Sequence, residues 1–179
     1  MTLATYFARE QLRDGRPVQI RALRPDDEAG MLAAIDQTNA ESLRRRFFVT
    51  KRKFSIEEKA FFLDVDFVNH VALVAAIDDG DRYSIVGGCR YIVTEPGKAE
   101  IAFVVIDTYQ GQGIGTMLTR HLVSLARVAG LKELVAEVLH ENKPMCSVLG
   151  KCGFRAGPSG DPQVIHLTLA LTSEGRERL

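Results

Sequence analysis

Three glycines fall within five residues in Gln110-Gly111-Gln112-Gly113-Ile114-Gly115-Thr116. The run follows an apolar stretch over 99–106 and leads into Ile114, Leu118, Leu122, Leu125, Ala126 and Ala129, spaced as one helix face that Gly130 closes. Such a turn lets a ligand approach the backbone and aims several N–H groups at one point, at the positive end of a helix dipole. A plain strand-to-helix turn needs a single glycine, so the triplet reads as a diphosphate site. A dinucleotide fingerprint needs its third glycine where Thr116 stands, and a Walker loop needs a Gly-Lys-Ser/Thr ending that is absent. The second chemical feature is Glu100, a carboxylate in the otherwise apolar run 99–106. It is costly there unless it meets water or a partner, for which Arg90 on the preceding strand is a candidate.

Other reactive side chains form no constellation. Cys89, Cys146 and Cys152 contain no CxxC pair and read as ordinary buried or half-buried thiols. His70, His121, His140 and His166 lack ligand spacing, so no metal site is expected.

The elements that position these residues follow from periodicity and turn signals. Val18 to Leu23 reads as a strand stopped by Arg24-Pro25, and Pro25 opens a helix towards Asn39. A second helical region spans about 40–48, and a third starts at Ser55, with Ser55 and Glu58 at capping-box spacing. His70 to Ile77, Ser84 to Thr94 and Ala99 to Ile106, separated by Asp/Gly and Pro-Gly turns, predict an antiparallel meander. The glycine turn and long helix come next, then a strand Glu133 to Leu139, a helix Lys143 to Lys151 and a strand Val164 to Leu171. The long helix thus crosses between two parallel strands. The expected organisation is an N-terminal extension over 1–16, one domain over 17–171 and a polar tail over 172–179.

With these residues in place, the chain resembles the GNAT N-acetyltransferase superfamily. Its acetyl-CoA signature, Gln/Arg-x-x-Gly-x-Gly/Ala, matches Gln110 to Gly115, and its second block matches Asn142-Lys-Pro-Met145 with Lys151-Cys-Gly153-Phe154. Three segments, Gly15 to Asp27, Ser42 to Phe48 and Val65 to Val74, are similar to bacterial protein lysine acetyltransferases that modify acyl-CoA synthetases. The resemblance implies the GNAT fold, a mixed and mostly antiparallel α/β sheet flanked by helices and splayed between the fourth and fifth of its expected strands, Ala99 to Ile106 and Glu133 to Leu139. It implies acetyl-CoA as cosubstrate. Val104, Val105 and Ile106 would sit at the splay, where a bulge frees main-chain groups for pantetheine and one N–H for the developing oxyanion. Gln110, Gly111, Gln112, Gly113, Ile114, Gly115 and Thr116 would hold the diphosphate, and Asn142 and Met145 would complete the donor site.

Glu100 corresponds to the family's general base, which takes the proton of an amine that at neutral pH is almost wholly protonated. Two positions depart from the pattern. Leu149 replaces the tyrosine that protonates the leaving thiolate, and Gln112 replaces an arginine between the glycines, for which Arg120 is a candidate substitute. The acceptor implied is an amine, foremost a lysine of an acyl-CoA synthetase or another protein. A small-amine acetyltransferase, a catalytically silent acetyl-CoA sensor and, on the misspaced glycines, a nucleotide-dependent oxidoreductase stay open, as does a homodimer.

Composition bounds the rest. The 23 Lys+Arg balance 23 Asp+Glu, which argues against a protein held by bulk attraction to nucleic acid. The start lacks a secretory signal and no apolar run reaches membrane-spanning length, so the expected location is cytoplasmic, with no membrane partner. Locally the charges are sorted. Arg44, Arg45, Arg46, Lys51, Arg52, Lys53 and Lys59 precede an acidic stretch from Asp64 to Asp81, read either as solvated faces or as a contact for a charged partner protein.

Overall fold

The computed structural model describes residues 2–38, 55–78, 80 and 83–171, apart from the side chains of 56, 58 and 59. Eight strands form one sheet in the order β1-β2-β3-β4-β5-β6-β8-β7. They are β1 (Phe7–Gln11), β2 (Pro17–Ala22), β3 (His70–Asp78), β4 (Tyr83–Glu95), β5 (Lys98–Val105), β6 (Glu133–Leu139), β7 (Arg155–Gly157) and β8 (Val164–Ala170). The meander is β3, β4 and β5, and every pairing is antiparallel except β5 with β6. Val71 to Ile77 is buried throughout, as an apolar run must be in a central strand covered on both faces.

Four described helices flank the sheet: α1 (Glu28–Asp36), α2 (Ile56–Leu63), α3 (Ile114–Val128) and α4 (Lys143–Lys151). The crossover helix α3 buries Ile114, Met117, Leu118, Leu122, Leu125 and Ala126, the face that its periodicity predicts, and lies against β3, β4 and β5. Helix α1 covers the opposite face of β4. A buried ion pair fixes the entry to α1: Asp27 accepts from Arg21 at 2.6 and 2.7 Å and from the Arg24 N–H at 2.8 Å.

The sheet extends further than the sequence suggests. Residues 7–11, expected as part of an extension, form β1 and pair with β2 from Phe7↔Arg21 to Gln11↔Pro17, so the sheet begins before residue 17. The five-residue turn between them is closed by Leu12 N–H to Arg16 O (2.9 Å) and Gly15 N–H to Leu12 O (3.0 Å), with Gly15 at φ +90°, a left-handed conformation that favours glycine. Strand β7 is likewise an addition. The helical region expected over 40–48, the basic residues 44–53 and the tail 172–179 lie outside the described residues, as does the Glu58 side chain of the expected capping box.

Candidate active site

Strand β6 runs beside β5 for only three pairs, Lys98↔Glu133, Ala99↔Leu134 and Glu100↔Val135, and then the two diverge. A cleft opens between them, walled by Phe103 to Val105 on one side and Ala136 to Val138 on the other, and floored by α4 residues including Met145, Val148 and Leu149. The glycine turn stands at its wide end and Glu100 at its root.

Register decides which main-chain groups face this cleft. The Ile106 N–H donates to Val86 O (3.0 Å), and β4 pairs with β5 as Gly88↔Val104 and Gly87↔Val105. In an antiparallel ladder the bonded pairs alternate, so Val104 exchanges its bonds with Gly88, while Phe103 and Val105 turn their N–H and C=O groups away from β4. Phe103 and the Val105 N–H present the free edge, the Val105 carbonyl accepting from the Gln110 side chain. The expected bulge at 104–106 is absent; the register shift in this hairpin lies at Val93/Glu95 instead, and the edge is freed by divergence of β6. Of the three residues named for this role, Val105 turns its backbone into the cleft, Val104 does not, and Ile106 is 3% exposed and lies outside the cleft. Phe103 was missed, because backbone parity depends on a register that the sequence does not display.

The turn that follows is built to present donors. Gln110 Nε2 bonds Val105 O (3.2 Å) and Asp107 Oδ1 (3.0 Å), tying the turn to the strand end. Gly111 and Gly113 have φ of +77° and +95°, where a Cβ is strained, and Gly113 caps α3. The N–H groups of Ile114, Gly115 and Thr116 fall in the first helical turn and have no intrahelical acceptor; Met117 N–H, onto Gly113 O at 3.0 Å, is the first to close one. Gly111, Gly113, Ile114, Gly115 and Thr116 line the cleft; Gln112 does not, and its carbonyl instead accepts from the Arg13 N–H at 3.4 Å. Asn142 caps α4 by accepting from the Met145 N–H (3.3 Å), so both residues of the second block reach the cleft.

Arg13 is the unexpected member of the wall. It comes from the β1–β2 turn, lines the cleft, and its Nη1 donates to Gly111 O at 3.0 Å. Arg120, the candidate substitute for a cation in the signature, pairs with Glu10 at 3.1 Å instead. His121, one residue on, joins the same clasp, its Nε2 against Glu10 at 2.9 Å and its Nδ1 against the Tyr6 hydroxyl.

At the root of the cleft, Glu100 is exposed and makes no hydrogen bond or ion pair with a described residue. Arg90 contacts the Phe62 carbonyl (3.3 Å), His70 Nε2 (2.9 Å) and the face of the Phe62 ring, so the Glu100–Arg90 pairing is not made. Alternation puts Glu100, Ala102 and Val104 on the face of the sheet that α1 and α2 cover, where Ala102 and Val104 also border an apolar depression with Met31, Ala34 and Phe62. Glu137 shares that face across the gap and is hydrogen-bonded to His166; both border a depression with Glu100 and Asp161. Leu149 is fully buried at the cleft wall, which carries no acid there. The three cysteines are free thiols, Cys89 pushed far up by burial, and no group of three His, Cys, Asp or Glu among the described residues suits a metal. None of the described helices is long and apolar enough to cross a membrane.

Comparison with known proteins agrees with this geometry. The model of the acetyltransferase (GNAT) family matches residues 35–154. An acetyltransferase of Pseudomonas aeruginosa is 32% identical over 161 residues, 88% of this chain and 86% of that protein. The acetyltransferase Pat of Mycolicibacterium smegmatis is 29% identical over 145 residues, 80% of this chain but only 43% of that longer protein. In structure, the GNAT domain of Streptomyces lividans PAT superposes with a TM-score of 0.85 at 30% identity, covering 92% of this chain and 96% of that one.

Proposed function

The chain belongs to the acetyltransferase (GNAT) family, and from that premise we propose that it moves the acetyl group of acetyl-CoA directly onto the side-chain amine of a protein lysine. The observation that carries this reading is the polarity of the cleft. Its wide end offers backbone N–H groups and Arg13, suited to phosphate, and its root offers Glu100 and Glu137, suited to a cation. Between them β5 runs five residues from Glu100 to Val105, about 17 Å at roughly 3.3 Å per residue. That is the span an extended pantetheine arm covers between diphosphate and sulfur. The arm adds to the free edge of β5 as an extra strand would, through Phe103 and Val105.

In the proposed reaction Glu100 takes a proton from the protonated amine of the acceptor and passes it to water; the neutral nitrogen then attacks the thioester carbonyl carbon, the C–S bond breaks, CoA leaves as its thiolate, and the second proton that nitrogen loses as the amide forms goes to water. The Phe103 N–H is the free donor nearest Glu100 on this edge and faces the developing oxyanion, a contribution of about 10²- to 10³-fold in comparable sites. Leu149 supplies no acid, and a thiol of ordinary pKa about 8.5 leaves without one. The resemblance of Gly15 to Asp27, Ser42 to Phe48 and Val65 to Val74 to bacterial protein lysine acetyltransferases supports a protein acceptor. The test is release of free thiol from acetyl-CoA with folded acyl-CoA synthetases, other lysine-bearing proteins and small polyamines as acceptors, with mass spectrometry locating the added acetyl group. Modification of a protein lysine supports the reading. Turnover with small amines alone would make the enzyme a small-amine acetyltransferase, and binding without turnover would make it a sensor.

A further inference from the structure

We propose that Arg13, carried by the turn between β1 and β2, clamps the diphosphate of the acyl-CoA donor from outside the glycine turn. The inference rests on the acetyl-CoA reading above and deepens it. Among the described residues that line the cleft the cations are Arg13 and Lys151, and Lys151 stands at the last turn of α4, whereas Arg13 stands on the glycine turn.

The position of Arg13 is built, not incidental. Leu12 before it is 3% exposed and anchors the turn in the core. Arg16 after it is tied to Asp14 at 2.7 Å and lies 5.2 Å from the centroid of the Tyr109 ring, in the segment just before the glycines. The Arg13 main chain bonds Gln112 O at 3.4 Å and its Nη1 bonds Gly111 O at 3.0 Å, so backbone and side chain both grip the loop that would bind phosphate. An arginine has five N–H donors, and a bond through Nη1 to one carbonyl leaves the rest of a planar fork beside Gly113, where an ideal Cβ would lie 3.9 Å from Arg13 Nε. The loop's own side chains contribute no charge, since Gln110, Gln112 and Thr116 are neutral. The nearby cations on other elements are committed elsewhere, Arg120 to Glu10 and Arg16 to Asp14. The N-terminal hairpin is therefore part of the donor site as well as of the sheet.

The experiment measures binding of CoA, dephospho-CoA and pantetheine to the full chain by titration calorimetry, for the wild type, Arg13→Gln, Arg13→Lys and, as a surface-charge control, Arg127→Gln. Loss of a charge-assisted contact predicts affinity for CoA and dephospho-CoA reduced by about 10- to 100-fold in Arg13→Gln. Arg13→Lys should recover part of it, pantetheine binding should be unchanged, and Arg127→Gln should match the wild type. A change of less than about threefold for CoA overturns the inference. A loss confined to CoA and absent with dephospho-CoA overturns the diphosphate assignment in favour of the ribose phosphate. A loss that extends to pantetheine, with a lowered melting temperature of the ligand-free protein, overturns it in favour of a purely structural clasp. Failure of the wild type to bind CoA at all is a different result, which refutes the acetyl-CoA reading itself.

Discussion

Replacing Glu100 by glutamine isolates the proposed proton transfer from the size and shape of the side chain. Glu100 is exposed and unpartnered among the described residues, and it ends the paired stretch of β5 with β6. Glutamine keeps its volume and its strand-compatible shape, so stability should change by no more than about 0.5 kcal/mol, or roughly 1–2 °C in a chain of this size. Acetyl-CoA binding, which is proposed to use the backbone of Phe103 and Val105 and the glycine turn, should be unchanged. A lysine amine of pKa about 10.4 is neutral in roughly one molecule per thousand near pH 7.5. Removing the group that takes its proton should lower kcat by about 10²- to 10³-fold, equal to about 2.7–4 kcal/mol of barrier.

Initial rates of thiol release across pH, together with the melting temperature and the KM for acetyl-CoA, separate this loss from a folding or binding defect. The deficit of Glu100→Gln should shrink as pH rises, because an increasing share of the acceptor is already deprotonated and needs no base. A rate within about threefold of the wild type near neutral pH, or a deficit constant across pH, refutes the reasoning. Either outcome would leave Glu100 as an exposed strand residue near the acceptor and no more.

Three other perturbations address separate parts of the structure. Gly115→Ala adds a Cβ 3.7 Å from both methyls of Val148, an ordinary contact, so the ligand-free protein should melt at the same temperature or slightly higher; the cleft narrows between α3 and α4, and the KM for acetyl-CoA should rise about tenfold. Glu137→Gln should raise the KM for a cationic acceptor a few-fold, by roughly 1 kcal/mol or less for an exposed charge, and leave the KM for acetyl-CoA unaltered in the same assay. Asp27→Asn leaves the buried Arg21 uncompensated and should cost about 3–5 kcal/mol in denaturant unfolding. Burial alone would raise the Asp27 carboxyl, but the bonds from Arg21 and the Arg24 N–H outweigh it and hold it below the ordinary range. The wild-type pair therefore contributes its full stability above about pH 4 and loses it as pH falls through the lowered value, an acid sensitivity that the variant should lack.

The meander, the crossover helix and the parallel contact were legible because each rests on a local pattern. Val71 to Ile77 is a buried run, the Pro96-Gly97 turn closes a hairpin, and Ile114 to Ala126 repeats at helical spacing. Strand β1 was not, since Phe7 to Gln11 alternates between half-buried and exposed at a sheet edge and lacks an apolar face. The three-residue β7 is too short to carry a period. Arg90, a candidate partner for Glu100 because it lies on the neighbouring strand, and Arg120, a candidate for the diphosphate because it follows the turn on the same helix, are each held by a group on another element instead, Phe62 with His70 and Glu10 respectively. Arg13 had no signal because it belonged to a segment with no expected place in the fold.

The regular ladder at 104–106, where a bulge was expected, has its own consequence. In β5, residues 100, 102 and 104 send side chains to the face covered by α1 and α2 and main-chain groups to β4. Residues 103 and 105 do the reverse, turning main-chain groups into the cleft. Both alternations have period two, so on the proposed reading one strand serves two substrates, with even side chains towards the acceptor and odd backbone groups towards the donor. The phase is set where β4 meets β5, through the register shift at Val93/Glu95. A slip of one residue there would exchange both roles at once, moving Glu100 to the opposite face and handing the free edge to the main-chain groups of residues 102 and 104. On that reading the hairpin turn, which does not line the cleft, sets the phase on which the proposed chemistry depends.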